Sequence, residues 1–81
     1  METKQIIKTI EEIAAERGVP NNVRKDLQEA IEILNDSKTE QERVSSVISI
    51  LDESSNDPNI SQHIRTRMWN LVSSLESMLK S

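Results

Sequence analysis

The residues best suited to chemistry in this chain lie in one stretch, from Asp52 to Arg65. The carboxylates of Asp52 and Glu53 precede a turn rich in serine and asparagine, and the single histidine, His63, follows the turn together with Arg65. Histidine serves as a base or a metal ligand near neutral pH, and an arginine beside free helix amides can hold an anion. A ligand-binding or enzymatic site is therefore an alternative reading of this stretch.

The pattern that such a site requires is incomplete. One histidine among many serines does not specify a catalytic triad, and the spacing of Asp52, Glu53 and Asp57 matches no calcium loop. The single glycine cannot form a glycine-rich phosphate loop. We therefore expect a chain that is not an enzyme and has no catalytic, cofactor-binding or metal-binding residues.

The elements that would position these residues follow from an internal repeat. When the sequence is displaced by 41 positions, its apolar residues fall into register, as in the pairs Ile10 with Leu51 and Leu34 with Leu75. Apolar residues at helical spacing predict helices at about 3–17, 20–35 and 40–54, and from between 58 and 61 to about 80. Because the connections are short, we predict an all-α, four-helix up-and-down bundle. It forms one domain, residues 1–81, with repeats at about 3–36 and 44–77.

Two polar positions also agree between the repeats. Glu12 corresponds to Glu53, and Arg24 corresponds to Arg65. In an antiparallel hairpin, the end of the first helix lies near the start of the second. We therefore predict the ion pairs Glu12–Arg24 and Glu53–Arg65, which would brace the two hairpin turns. The alternative for Arg65 is an anion site formed with free helix amides.

Three apolar residues do not fit the stripes of their helices: Ile33, Ile50 and Trp69. Each points roughly 105–120° away from the centre of its stripe, by the 3.6-residue period. Ile50 and Trp69 lie in the half of the chain where serine replaces charged residues, and tryptophan is favoured at the centres of interfaces. We predict an interaction or scaffold module that uses Ile50 and Trp69, most simply as a two-fold homodimer. The alternative is that Trp69 folds over the edge of the bundle and that Ile50 is a scattered exposed residue.

Composition narrows the class of partner and the compartment. The 81 residues carry a net charge of −4, one aromatic residue and no cysteine. An acidic chain argues against binding a phosphate backbone, although Arg65, Arg67 and Trp69 would be the residues for weak nucleic-acid binding. No apolar stretch approaches the ~20 residues that cross a bilayer, so we expect no membrane partner and a cytoplasmic location.

Two segments resemble a known family. The stretch ILDESSNDPNISQHIRTRMWNLVSSLE and the earlier GVPNNVRKDLQEAIEIL are similar to a family of short, acidic, uncharacterised archaeal proteins. The most specific part is Leu51–Asn59 followed by His63, Arg65 and Trp69, and the resemblance covers about residues 5–77. It implies a four-helix up-and-down bundle from an archaeal cytoplasm with no established biochemical function. It assigns no catalytic or ligand-binding residues.

Overall fold

The turns and caps of the chain determine where its helices begin and end. The computed structural model describes residues 3–80 and contains α1 (Thr3–Ala14), α2 (Asn21–Leu34), α3 (Glu40–Ser55) and α4 (Gln62–Lys80). The Thr39 hydroxyl accepts a hydrogen bond from the Glu42 amide at 3.3 Å, which is the bond expected where a threonine precedes a glutamate by three residues at a helix start. Ser61 does the same for the amide of Ile64 at the start of α4, at 3.2 Å. These side chains satisfy amides that have no partner within their helices.

The first helix is shorter than predicted. It ends at Ala14 rather than at Arg17, and the amide of Glu16 then bonds to the carbonyl of Ile13 in a tighter turn. Gly18 has a φ of +86°, a conformation that a glycine adopts without steric cost, and it lies in the turn between α1 and α2. The other helix ends lie within one residue of the predicted bounds, which is the ordinary scatter of such boundaries.

Contacts between helix ends establish the up-and-down order. Arg24, at the start of α2, bonds to Ala14 at the end of α1. In the same way, Asp26 near the start of α2 accepts a hydrogen bond from Ser54 near the end of α3. Each helix therefore runs antiparallel to its neighbour, and α1 closes the ring by contacting α4. That last contact is the loosest of the four, and the four-helix up-and-down bundle is confirmed.

The core is the aliphatic stripe that the periodicity predicts. Ile10, Leu51 and Leu75 are completely buried. The other buried apolar residues come from all four helices and two of the connections: Ile6, Ile13, Val19, Val23, Leu27, Ala30, Leu34, Val44, Val47, Ile60, Ile64, Met68, Leu71 and Val72. At the end of α4, Met78 packs against this core, whereas Leu79 is 39% exposed.

Candidate functional site

The two arginines that the repeat singled out bind helix ends rather than carboxylates. Arg65 Nε donates to the carbonyl of Ser55 at 2.9 Å, and its Nη2 donates to the carbonyl of Asp57 at 3.1 Å. Arg24 Nε donates to the carbonyl of Ala14 at 2.9 Å, and its Nη2 reaches the carbonyl of Val19 at 3.4 Å. Each guanidinium thus covers the carbonyl of the last residue of the preceding helix, where the helix dipole is negative, and a second carbonyl in the connection that follows.

These contacts correct the predicted ion pairs. Neither Glu12–Arg24 nor Glu53–Arg65 is among the ion pairs of residues 3–80, and both glutamates are exposed. The physical reason is that the carbonyls at a helix end have no backbone partner of their own and lie closer to the guanidinium than the glutamate does. The same contacts engage Nε and Nη2 of Arg65, two of the three nitrogens that could otherwise hold an anion.

A third arginine, which the sequence analysis missed, holds the remaining connection. Arg43 Nη1, in the first turn of α3, donates to the carbonyls of Leu34 at 3.0 Å and Asp36 at 3.3 Å. Its distance in sequence from the end of α2 could have identified Arg43 as a residue of this kind. Each of the three arginines lies nine or ten residues after the helix residue whose carbonyl it binds.

His63 and Arg67 meet on a single carboxylate. Glu16 Oε1 lies 2.8 Å from Arg67 Nη1 and 3.4 Å from His63 Nε2. These are the two ion pairs within 4.0 Å in the described part of the chain. Glu16 follows α1 and both partners lie on α4, so the cluster joins the two helices whose contact is loosest.

The four residues of the alternative site do not share a set of contacts. His63 bonds to Glu16, Arg65 bonds to backbone carbonyls, and the side chains of Asp52 and Glu53 are exposed. Within residues 3–80, no group of three or more histidine, aspartate or glutamate side chains is arranged to hold a metal ion. The four side chains therefore do not converge, as a catalytic site at this turn would require.

Asp57 is held in its ionised form by two hydrogen bonds. Its carboxylate accepts from Asn22 Nδ2 at 2.7 Å and from the amide of Asn59 at 2.8 Å. The bond from Asn22, and then the bond from the Asn59 amide, lower the pKa of Asp57 below its ordinary value, with burial opposing them weakly. The bond from Asn22 also ties the start of α2 to the turn after α3.

The two interface candidates differ in exposure. Trp69 is 50% exposed, the most of any large apolar side chain in residues 3–80. Ile50 is half-buried and packs against the core, as does Ile33. Ser54 lies one turn after Ile50 and bonds to Asp26, so Ile50 is on the side of α3 that faces α2.

Three surface clefts are well defined. The largest, about 600 Å³, is open and lies beside Thr39 at the start of α3. A cleft of about 180 Å³ lies between Val44 and Leu79, and one of about 160 Å³ lies between Thr9 of α1 and Leu71 of α4. None of the three is lined by the residues of the alternative site.

Within residues 3–80, none of the helices combines the length and the apolar character needed to span a bilayer.

Comparison with known proteins identifies relatives along nearly the whole chain. A protein from Methanosarcina mazei is 42% identical over 76 residues, which cover 93% of this chain and 82% of the relative. A protein from Methanothermobacter thermautotrophicus is 44% identical over 75 residues, covering 91% of this chain and 74% of the relative. Both are named UPF0147 proteins. These archaeal relatives agree with the resemblance noted in the sequence.

Two crystal structures have the same fold. One is of a protein from the uncharacterised family UPF0147 of Thermoplasma acidophilum, with a TM-score of 0.85, 33% identity and coverage of 91% of this chain and 88% of the other. The other is of MMP1188, a protein of unknown function, with a TM-score of 0.87, 36% identity and coverage of 93% and 86%. The model of the uncharacterised protein family UPF0147 matches residues 1–78, and the chain therefore belongs to that family.

Proposed function

We propose that this protein is a non-enzymatic interaction module that associates with a second copy of itself through the outer face of α4. The observation that carries the proposal is the exposure of Trp69, which leaves half of the only aromatic side chain in the chain in solvent. Tryptophan is among the residues most enriched at the energetic centres of protein interfaces. A bundle that needs this ring only for its own stability would bury it.

The charges around Trp69 favour a second copy as the partner. We define the outer face of α4 as Trp69 with the exposed residues that flank it, Gln62, Thr66, Asn70, Ser73, Glu76 and Ser77, of which Glu76 alone is charged. The exposed side of α1 carries Lys4, Lys8, Glu11 and Glu12 instead. Because the chain has a net charge of −4, two copies repel less where their contact surface carries few charges, as on this face of α4.

The competing functions have less support. Arg65 is occupied by backbone carbonyls and Arg67 by Glu16, so neither guanidinium stands beside Trp69 as an unpaired phosphate ligand. Nucleic-acid binding needs such cations around the stacking ring. The proposal includes the cytoplasmic location expected above, and the absence of cysteine supports it because it fits a reducing compartment.

We also propose that the bundle consists of two repeated hairpins. In support, Arg24 bonds to Ala14 as Arg65 bonds to Ser55, and each pair of corresponding residues is 41 positions apart. The contact between Asn22 and Asp57 has a counterpart at the same displacement, between His63 and Glu16. A residue that differs between the two hairpins is not required by the repeated fold. Trp69 is such a residue, because Gln28 occupies the matching position.

The test is the mass in solution of the unmodified protein and of Trp69→Ala, measured by light scattering over a range of concentrations. We expect the unmodified protein to have twice the chain mass. Trp69→Ala should weaken association by roughly 30-fold or more, because a residue at the centre of an interface contributes about 2 kcal/mol or more.

Gln28→Ala is the matched control, since it removes an exposed side chain at the corresponding position of α2. It should leave the mass unchanged. Circular dichroism should show that both variants keep their helices. A monomeric unmodified protein, or a Trp69→Ala variant with undiminished association, would refute the proposed surface.

A further inference from the structure

The two hairpins contact each other through α2–α3 and through α1–α4, and different side chains fill these two contacts. At the α2–α3 contact, Ile33 and Ile50 pack against the core. The residues 41 positions away, Ser74 and Thr9, are polar, and both line the 160 Å³ cleft between α1 and α4. The α1–α4 contact therefore has an open space where the corresponding contact has two isoleucine side chains.

The cleft is suited to an aromatic ring. Its wall includes Leu71 and the side chain of Arg67, with Thr9, Asn70 and Ser74 completing it. An apolar protein cavity of about 150 Å³ accommodates benzene, so a volume of about 160 Å³ has room for part of an indole. Arg67 lies at one end of the cleft, and the bond of its guanidinium to Glu16 at 2.8 Å holds that side chain in place.

Trp69 and the cleft lie at the same height on α4. Trp69 falls within the span from Arg67 to Ser74 that forms one wall of the cleft. By the helical period, Trp69 and Ser74 are separated by about 140° around the helix axis. Trp69 cannot fill the cleft of its own chain, because it projects from a different side of the same helix.

We infer that each copy inserts its Trp69 ring into the α1–α4 cleft of the other copy, and this inference rests on the proposed self-association. A two-fold axis passing beside Asn70 pairs the two α4 helices in antiparallel directions and places each Trp69 opposite the partner's cleft. The interface is then isologous, with two equivalent insertions.

The residues between Trp69 and the cleft permit this approach. Thr66, Asn70, Ser73 and Ser77 follow one another at spacings of four, three and four residues, so they form a single stripe along α4. Their side chains are exposed and uncharged. Small side chains along such a stripe allow two helices to approach at the short end of the usual 8–10 Å range.

The experiment uses Trp69 as its own reporter, because it is the only tryptophan in the chain. Its fluorescence emission and the mass in solution are measured together over the same range of protein concentration. We expect the emission to move to shorter wavelength as the mass doubles, since the ring leaves water for the cleft.

Two variants close the cleft without touching Trp69. Ser74→Ile introduces the residue that Ile33 provides at the matching position of the other contact, and Thr9→Ile closes the cleft from the side of α1. Each should weaken dimerisation at least ten-fold, and the emission should stay at long wavelength. Ser46→Ile, the same change at an exposed position of α3, should behave like the unmodified protein.

The results separate this inference from the proposed function. If Trp69→Ala dissociates the dimer but both cleft variants dimerise with undiminished affinity, the insertion is wrong and the proposed surface stands. If the mass doubles while the emission does not move, the insertion is also wrong. If the unmodified protein stays monomeric at every concentration, the proposed function and the insertion are both refuted.

Discussion

Asp57 shows how one turn residue connects two hairpins. Its carboxylate accepts hydrogen bonds from the side chain of Asn22 and from the amide of Asn59, and both lower its pKa. A group whose pKa is lowered in the folded protein stabilises the fold above its unfolded pKa. That stabilisation is lost as the pH falls through the folded pKa, so Asp57 contributes to loss of stability in acid.

Replacement of Asn22 by alanine tests this coupling. In Asn22→Ala, the pKa of Asp57 should rise towards its ordinary value, because the largest cause of the lowering is removed while the bond from Asn59 remains. Carboxyl-carbon NMR titration of both proteins measures the shift. The difference in their stability should be constant near neutral pH and should shrink below about pH 4.

The neighbouring Asn21 provides the control for that titration. Its side chain bonds to Arg24 rather than to Asp57, so Asn21→Ala should leave the pKa of Asp57 where it is. An unchanged pKa in Asn22→Ala would mean that the bond is absent in solution.

At the scale of elements, the three connections share one device, in which an arginine in the first turn of a helix covers the carbonyl end of the preceding helix. Arg24, Arg43 and Arg65 do this for α1, α2 and α3 in turn. A guanidinium presents several donors in a fixed plane, whereas a lysine ammonium is a compact point charge on a flexible stem. The geometry of these turns therefore depends on arginine in particular.

Arg65→Lys should destabilise the bundle by up to about 1.5–3 kcal/mol, the usual contribution of a hydrogen bond that involves a charged group. Unfolding in urea, followed by circular dichroism, measures the change in the free energy of unfolding. Arg17→Lys, at an exposed position in the connection between α1 and α2, should change it by less than about 0.5 kcal/mol. Equal stabilities of the two variants would show that the carbonyl contacts of Arg65 contribute nothing.

The same turns show what the sequence predicts and where it stops. The cap at Thr39 and the reversal at Gly18 are local, so their residue types predict them correctly. The partners of Arg24 and Arg65 are not local. The prediction matched each arginine to a carboxylate and overlooked the backbone carbonyls at the helix end. Those carbonyls lack hydrogen-bond donors, but they can be identified only when the last residue of the helix is known.

The candidate surface around Trp69 could also be predicted only in part from the sequence. The helical period identifies Ile33, Ile50 and Trp69 as residues outside the main stripes, but it does not say which of them a neighbouring helix covers. The structure shows that Ile33 and Ile50 are partly covered and that Trp69 is left exposed. That distinction depends on which helices pack side by side, and the spacing of residues within one helix does not contain it.

At the scale of the whole molecule, a thin core makes each buried side chain costly to remove. A chain of 81 residues buries roughly 60–65% of its unfolded surface, less than a larger domain does, and a small domain has about 5–15 kcal/mol of stability in total. Leu51 is completely buried near the end of α3. Its loss leaves a cavity that the surrounding helices fill only in part.

Leu51→Ala should therefore lower the free energy of unfolding by about 2–5 kcal/mol, from lost burial and from the cavity that remains. Denaturant unfolding at a fixed temperature gives the value directly. Leu79→Ala is the matched control, because the same atoms are removed from a side chain that is 39% exposed, and it should cost far less. Similar losses in the two variants would mean that Leu51 is not in the core, and the ring arrangement of the four helices would then need revision.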